Sequence, residues 1–219
     1  MREPGALPAA SALHTVHALL RLLSGHGSAL TVDMRDVQQR LYTLLAEPEV
    51  THDPRLLGTA LDCLEHLCKQ RSALLAGRVA SFFVRLLEAA AHLPHAHAVA
   101  ALTAAARLLT ACPRVASILD GTDRAGPGPS MTAAGGEQDV DSPAALASTA
   151  WSLVLLSRHF HPPVAQLARK LARAEPLPPR LANATPLKLM AAYSEATGAF
   201  NPAPPMPAKR KLAPDAGGG

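Results

Sequence analysis

Residues 151–163 read Trp-Ser-Leu-Val-Leu-Leu-Ser-Arg-His-Phe-His-Pro-Pro. The first half predicts an apolar helix, and the second half predicts a basic, aromatic corner. Because a residue before a proline is pushed out of the helical region, we expect His161 to end the helix. Pro163 then suits the first turn of a following helix over residues 164–174, which is apolar on one side and basic on the other. The stretch therefore predicts two helices joined at a sharp corner.

Outward from this corner, the composition predicts helices throughout. Hydrophobic residues make up 48% of the 219 residues, but aromatic residues only 3%. Alanine and leucine dominate, which favours helices. Runs of β-branched and aromatic residues, which are typical of strands, are absent. We therefore predict an all-α fold.

Apolar residues recur every three or four positions in five stretches before the corner, as in amphipathic helices. These stretches begin near residues 11, 33, 53, 72 and 94. The last four starts lie about 20 residues apart, so each helix pair spans about 40 residues, the period of HEAT-like repeats. The spacing predicts a HEAT/armadillo-like helical-repeat domain, an α-solenoid. A compact helical bundle is the alternative.

Two breaks divide the chain. Residues 120–142 are rich in Gly, Pro and Ser and end in acidic residues, which predicts a flexible linker or long loop. Residues 201–219 are Pro-rich and then Gly-rich, which predicts a disordered tail. The helical hairpin repeats then occupy residues 11–119, and the C-terminal helices of the same domain occupy residues 143–200.

Three of the predicted helices have recognisable first residues. Asp53, Ser142 and Thr185 each precede a proline. Such a side chain can cap the first amides of a helix, and the proline suits its first turn. We expect the helix after Ser142 to contain Trp151.

Charge is distributed unevenly along the chain. The net charge is +4, and residues 162–219 contain eight Lys and Arg against three Asp and Glu. A basic end on a balanced body favours an anionic partner, either nucleic acid or an acidic protein surface. The alternative is a solvated helix face followed by a soluble tail.

Six residues at or after the corner are candidates for binding a partner protein or RNA. They are Arg158, His159, His161, Arg169, Lys170 and Arg173. Together they would form a surface that holds phosphate or an acidic helix. In the alternative interpretation, His159 or His161 caps the carbonyl groups that end the preceding helix. Phe160 packs into the core in both interpretations.

A second basic cluster lies in the tail. Lys209, Arg210 and Lys211 are adjacent there, and an extended Pro-rich backbone would expose all three. They are a candidate nuclear localisation signal, with a chance basic triplet as the alternative.

Motifs that would indicate catalysis are absent from the sequence: it has no P-loop, Gly-rich dinucleotide turn or local nucleophile signature. Its three cysteines, Cys63, Cys68 and Cys112, are predicted to be small core side chains in a reducing compartment. The histidines beside Pro94 are predicted to be exposed rather than metal ligands. No apolar run reaches the length of a membrane span. We therefore predict no catalytic residues, metal, cofactor, small-molecule substrate or membrane contact.

Five stretches resemble one known family. Residues 151–170 contain Leu-Leu-Ser-Arg-His-Phe-His-Pro and then Val-x-x-Leu-Ala-x-Lys, residues 33–45 contain a Leu-Tyr pair, and residues 60–71 read Ala-Leu-Asp-Cys-Leu-Glu-His-Leu-Cys-Lys-Gln-Arg. Residues 78–86 read Arg-Val-Ala-Ser-Phe-Phe-Val-Arg-Leu, and residues 184–202 contain Thr-Pro-Leu-Lys-Leu-Met-Ala-Ala-Tyr-Ser and end in Phe-Asn-Pro. In this order they resemble the CCAAT-binding-factor (CBF) domain of nucleolar complex proteins, above all the nucleolar complex protein 3 family. Ser152 is a departure, since the family has an acid there.

The resemblance implies a nuclear, nucleolar and non-enzymatic helical-repeat scaffold in large-ribosomal-subunit assembly and rRNA processing. It implies a partner similar to nucleolar complex protein 2, another helical-repeat protein, and association with pre-ribosomal particles. Direct contact with pre-rRNA is a further expectation, and a role in DNA replication initiation is secondary. A generic cytoplasmic HEAT-type interaction adaptor is the alternative.

Overall fold

The computed structural model describes residues 7–24, 34–69, 75–119, 139–141, 144–147 and 150–197. Eleven α-helices and two 3₁₀ helices are assigned within these ranges, and no strand is. The helices are α1 (Ala9–Ser24), α2 (Arg35–Leu44), α3 (Pro48–His52), α4 (Pro54–Lys69), α5 (Ala76–Ala90), α6 (His95–Ala111), a 3₁₀ helix (Pro113–Ile118), α7 (Ala144–Ala147), α8 (Ser152–Leu156), α9 (Pro162–Ala172), α10 (Pro179–Ala182), α11 (Pro186–Ala192) and a 3₁₀ helix (Glu195–Thr197). The predicted all-α fold is confirmed, while the solenoid and the domain boundaries stay predictions.

Helix α6 lies at the centre of the fold. It contacts α4, α5, α9, α10 and α11. Its sequence, His-Ala-His-Ala-Val-Ala-Ala-Leu-Thr-Ala-Ala-Ala-Arg-Leu-Leu-Thr-Ala, has apolar residues on every side, and nearly all of them are buried. A helix that is apolar all round needs neighbours all round. The alanines allow those neighbours to approach closely, so α6 organises the helices on both sides of the corner.

Helix starts agree with their predicted caps where the structure describes them. Oδ1 of Asp53 accepts hydrogen bonds from the amides of Arg55 and Leu56, at 2.7 and 3.1 Å, at the start of α4. The Thr185 hydroxyl accepts from the amide of Lys188 at 3.4 Å at the start of α11. Both caps satisfy amides that have no partner within the helix. The short α3 was missed, because five residues are too few to show a helical period.

The last helix returns to the middle of the chain. Helix α11 packs on both α4 and α6. A Cβ atom built on Gly58 in α4 would lie 2.9 Å from Cγ of Leu187 in α11. The absence of a side chain at Gly58 therefore allows these helices to approach closely.

Part of the predicted linker is bound to the helices. Nε of Arg35 in α2 donates to the Asp141 carboxylate at 2.8 Å, and Arg78 in α5 donates to the same carboxylate through two nitrogens, at 2.5 and 3.1 Å. Ser81 donates to the carbonyl of Val140 at 2.9 Å. Residues 139–141 thus join α2 to α5, while residues 120–138 lie outside the described residues.

The region before the corner differs from the single helix predicted after Ser142. It contains two short helices, α7 and α8, and residues 142–143 and 148–149 lie outside the described residues. Leu153 and Leu156 bury α8 against the core. Trp151 precedes the helix as its N-cap rather than lying within it.

Candidate partner-binding surface

A tight turn joins α8 to α9. The amides of Arg158 and His159 donate to carbonyl oxygens three positions back, at 3.0 and 3.1 Å, which tightens and ends the preceding turn. The amide of His161 donates to Nδ1 of His159 at 3.0 Å. His161 itself has extended backbone and is the N-cap of α9. The predicted break at His161 is confirmed, although α8 ends at Leu156.

The turn places Phe160 outside and His161 inside. Phe160 is 69% exposed, whereas His161 is 1% exposed, with its ring centroid 4.5 Å from that of His95 and 6.1 Å from that of Tyr193. The prediction that Phe160 packs into the core is therefore wrong. Burial also removes His161 from the candidate surface, and the prediction of exposed histidines fails for His95, which is 5% exposed.

His159 supports the turn and the exposed ring beside it. Its ring stacks on Phe160 with a centroid distance of 4.4 Å. Burial of the ring lowers the pKa of His159. The neutral ring can therefore accept through Nδ1 at pH 7.

Two arginines lie at the same corner. Arg158 is exposed in the turn. Arg169, which is also exposed, donates from Nη2 to the carbonyl of Ser157 at 2.8 Å. This bond holds the Arg169 guanidinium beside the end of α8, where helix carbonyl groups favour a cation.

The remaining two candidates are engaged by one acid. Glu175 accepts from Nζ of Lys170 at 3.2 Å, and its other oxygen lies 3.6 Å from Nη1 of Arg173. The Lys170 hydrogen bond is the main reason that the pKa of Glu175 is lowered, with Arg173 adding to it. Ala174 has a φ of 51°, and the Glu175 amide donates back to the carbonyl of Lys170 at 2.9 Å. This left-handed cap positions Glu175 beside both cations.

An apolar groove lies beside the corner, which sequence reasoning missed. Its cavity of about 340 Å³ is lined from α5 and the following turn by Glu88, Ala91 and His92, and from the other side by Trp151, Leu155 and His159. Trp151 is 45% exposed and Leu155 53%. Their four-residue spacing, which places both side chains on one face of a helical segment, was the available signal. We call Trp151, Leu155, Arg158, His159, Phe160 and Arg169 the Trp151 surface.

A second cavity, of about 560 Å³, lies between α4, α6 and the loop before α11. Arg107 donates there to the carbonyls of Ala182, at 3.0 Å, and Ala184, and it pairs with Glu65. Burial lowers the pKa of Arg107. These contacts use the Arg107 guanidinium to hold the loop, so we assign this cavity a structural role.

The described residues provide little for metal or thiol chemistry. No group of three or more His, Cys, Asp or Glu side chains within the described ranges could hold a metal ion. Burial raises the pKa of the Cys63 thiol to about 12 and that of Cys68 to about 11, which disfavours the reactive thiolate.

None of the helices in the described ranges is both long and apolar enough to cross a bilayer. Lys209, Arg210 and Lys211 lie outside them.

Comparison with known proteins identifies the family. The CBF/Mak21 family profile matches residues 12–168. The chain belongs to the CBF/Mak21 family. The matched segment includes the corner through Ala168 and stops before Arg169, so most of the Trp151 surface lies within it.

Curated relatives of this CBF/Mak21 chain have one name in common. This chain is 30% identical over 207 residues to Nucleolar complex protein 3 of Drosophila melanogaster, and the match covers 89% of this chain and 24% of the relative. It is 28% identical over 210 residues to the Nucleolar complex protein 3 homolog of Homo sapiens, covering 91% and 25%. For the Danio rerio homolog the identity is 30% over 217 residues, covering 94% and 26%.

The chain thus spans about a quarter of the length of these curated relatives. The resemblance read from the sequence is confirmed by both the family profile and the relatives. Their names indicate a nucleolar location in the nucleus and a nucleolar role. These family names denote no enzyme.

Proposed function

We propose that this chain is a non-enzymatic scaffold in nucleolar ribosome biogenesis, acting in large-subunit assembly and rRNA processing. Membership of the CBF/Mak21 family, with relatives named Nucleolar complex protein 3, is the observation that supports it most strongly. The proposed partners are a helical-repeat protein similar to nucleolar complex protein 2 and the pre-ribosomal particle. The chain would bind, position and later release them without covalent chemistry.

The arrangement of helices supports such a role. Helix α6 is packed on several sides and holds α5 and α9 in fixed relation, so the corner between α8 and α9 is presented on a rigid support. A preorganised surface loses less conformational entropy on binding than a flexible one. A scaffold is therefore better served by the rigidly supported Trp151 surface than by a flexible loop that folds only when it binds.

A purification from cells tests the proposal. The tagged chain should concentrate in the nucleolus and recover a nucleolar complex protein together with large-subunit precursors. The matched comparison is the same chain carrying Leu61→Asp, which places a charge at a fully buried position of α4 and should prevent folding. Recovery of cytoplasmic transport factors with no ribosomal precursor would favour the adaptor alternative instead.

Direct contact with pre-rRNA is a separate part of the proposal. Its candidates are Arg169, Lys170 and Arg173, although Glu175 offsets part of the charge of the last two. Replacing all three by Gln should remove most RNA association. If each contacts a phosphate, the slope of log K against log salt should fall by about 2 for single-stranded RNA. An unchanged affinity and slope would exclude this patch.

A matched control keeps the same loss of charge. Arg40, Arg55 and Arg114 are exposed arginines elsewhere in the described ranges. Replacing these three by Gln lowers the net charge equally but leaves the corner intact. Equal loss of RNA binding in both triple variants would indicate general electrostatic attraction rather than a site. A role in replication initiation rests on the resemblance alone and stays secondary.

A further inference from the structure

In the part of the chain that the structure describes, exposed apolar side chains are most frequent in one short stretch. Among the described residues, nine large hydrophobic side chains are exposed, and five of them lie between residues 146 and 160. They include Trp151, which is the only tryptophan of the chain. By contrast, Phe82 and Phe83 are fully buried. Clustered rather than scattered apolar exposure is typical of a binding surface.

The cluster is continuous with the groove. Trp151 and Leu155 line one wall of the cavity, and His159 lines it next to them. The His159 ring stacks on Phe160, so the apolar surface extends from the groove across the turn. Tryptophan and phenylalanine provide the large, rigid contact areas that dominate the energetics of protein interfaces.

Charge defines one edge of this surface. Arg158 is exposed in the turn, and the bond from Arg169 to the Ser157 carbonyl places a second guanidinium at the same end. Glu88 is the acidic residue among those that line the groove. An occupant that is apolar along its middle and acidic only at the end near the turn would complement the apolar walls and the two arginines, and would keep its acidic side chains away from Glu88.

We propose that the Trp151 surface binds an amphipathic helix of a partner protein that has acidic side chains beside its apolar face. A helix fits because apolar side chains at positions i, i+3, i+4 and i+7 form a single stripe that can enter a groove between two helices. This inference deepens the proposed scaffold role and rests on it, since it assigns the recognition surface and the chemistry of the partner.

A protein helix fits the surface better than RNA does. Lys170 and Arg173 are already paired with Glu175, which weakens any continuous track for a phosphate backbone. The residues that remain at the groove are mainly apolar, with Leu155 more than half exposed. Contact with leucine does not stabilise a bound phosphate group, whereas it buries the apolar face of a bound helix and so stabilises that complex.

Trp151 provides the measurement, because it is the only source of tryptophan fluorescence in the chain. The probe is a designed peptide without tryptophan, of about four helical turns, with a leucine stripe flanked by glutamates. It should shift the emission of Trp151 to shorter wavelength in a saturable manner. A peptide with the same stripe flanked by lysines should bind about tenfold more weakly, because Arg158 and Arg169 would repel it.

Two variants with a matched control test the location. Leu155→Glu should lower the affinity for the glutamate peptide at least about tenfold, and Phe160→Ala should lower it by a smaller factor. Leu22→Glu places the same charge at a 70%-exposed leucine of α1 and should leave binding unchanged. The double variant Arg158→Glu with Arg169→Glu should reverse the preference between the two peptides. Circular dichroism of each variant checks that the helices are retained.

Other occupants give different outcomes, and each would overturn the proposal. Oligouridine RNA that shifts Trp151 while both peptides fail would assign the surface to RNA. Equal affinity for both peptides would exclude an acidic partner. Protection of Trp151 from acrylamide in the protein alone would mean that the surface is already covered. Such protection would come from a second copy if it increases with concentration, and from the chain itself if it does not.

The two proposals fail separately. Peptide binding is measured on the purified chain and does not depend on localisation or ribosomal precursors. A chain that concentrates in the nucleolus with its precursors but ignores the peptides would retain the scaffold role and lose the helix-binding surface.

Discussion

Tyr42 in α2, Phe82 and Arg85 in α5, and Asp141, which pairs with an arginine of each helix, form what we call the α2–α5 junction. This junction and the Trp151 surface contain the same kinds of side chain in opposite surroundings. At the junction, the rings of Tyr42 and Phe82 meet edge to face at 5.6 Å, and the Arg85 guanidinium lies 4.3 Å from the centre of the Tyr42 ring. All three side chains are buried. At the corner, the rings of His159 and Phe160 stack at a centroid distance of 4.4 Å, and Phe160 is exposed.

The difference lies in which parts of the chain the contacts join. Tyr42 and Phe82 are 40 residues apart in sequence and come from different helices, so their contact defines the tertiary fold. His159 and Phe160 are neighbours, so their contact orders only a turn. Aromatic and arginine side chains thus stabilise the fold where distant helices enclose them. Where they are exposed, the same side chains are available to a partner.

The largest expected effect separates the two regions directly. Phe82→Ala should lower the free energy of unfolding by about 3–5 kcal/mol, because it removes a fully buried ring and leaves a cavity. Phe160→Ala should change it by about 0.5 kcal/mol or less, since that ring is 69% exposed. Urea unfolding followed by circular dichroism measures both. Similar losses for the two variants would show that Phe160 is part of the core.

The Asp141 contact tests how far the junction depends on charge. Asp141→Asn should lower the free energy of unfolding by about 1–2 kcal/mol at pH 7, because Arg35 and Arg78 lose a shared carboxylate. Arg78 and then Arg35 lower the pKa of Asp141 from its ordinary 3.8. A carboxylate whose pKa is lower in the folded chain than in the unfolded chain stabilises the fold when the pH is above the unfolded-state pKa. This stabilisation is lost as the pH falls through the folded-state pKa.

The difference between wild type and Asp141→Asn should therefore be constant near neutrality and shrink below about pH 4. Asp36→Asn in α2 is the control, since it removes an exposed carboxylate from the same helix. A pH-independent difference down to pH 3 would contradict the ion-pair explanation.

At the C-terminal end of α9, the cap of the helix can be improved. Ala174 has a positive φ, which costs a side chain conformational energy that glycine does not pay. Ala174→Gly should raise the free energy of unfolding by about 0.5–1 kcal/mol, after the greater entropy of an unfolded glycine is subtracted. Ala168→Gly, in the middle of α9, should instead destabilise by about 1 kcal/mol. Thermal unfolding of both variants distinguishes them.

The smallest expected effect is the pH dependence of the turn. Burial lowers the pKa of His159 in the folded chain. The neutral ring therefore stabilises the fold when the pH is above the unfolded-state pKa near 6.5, and this stabilisation is lost as the pH falls through the folded-state pKa. Protonation of Nδ1 would remove the acceptor of the His161 amide. Between pH 7.5 and 5.5 the loss should be about 0.5 kcal/mol or less, given the partial exposure.

Asn at this position retains an acceptor that does not titrate, so His159→Asn should flatten this part of the pH profile. Amide hydrogen exchange at His161 reports the bond locally. The expected result is a lower protection factor at pH 5.5 than at pH 7.5 in wild type but not in the variant, and equal behaviour in both would exclude the bond as the cause.

Features set by local chemistry were predictable from the sequence. Asp53 and Thr185 cap helices as expected, because an N-cap depends on a side chain and the amides two or three positions later. The break at His161 follows from the prolines in the same way. The all-α fold followed from composition, which sums over many residues.

The orientation of the corner was not predictable. No period relates His159, Phe160 and His161 in a turn, so the sequence does not tell which of them is buried. That choice depends on His95 and Tyr193, which come from α6 and the end of α11. The groove was missed for a related reason, because its walls come from segments about 60 residues apart, Glu88 and Trp151 among them.

The return of the last helix to the centre also has a consequence for synthesis. Arg107 and Ala184, which join α6 to the loop before α11, are 77 residues apart. At about 5–20 residues per second, translation takes roughly 4–15 s to pass from one to the other. During that interval the nascent chain leaves the α11-facing side of α4 and α6 open to water, where a chaperone can bind it.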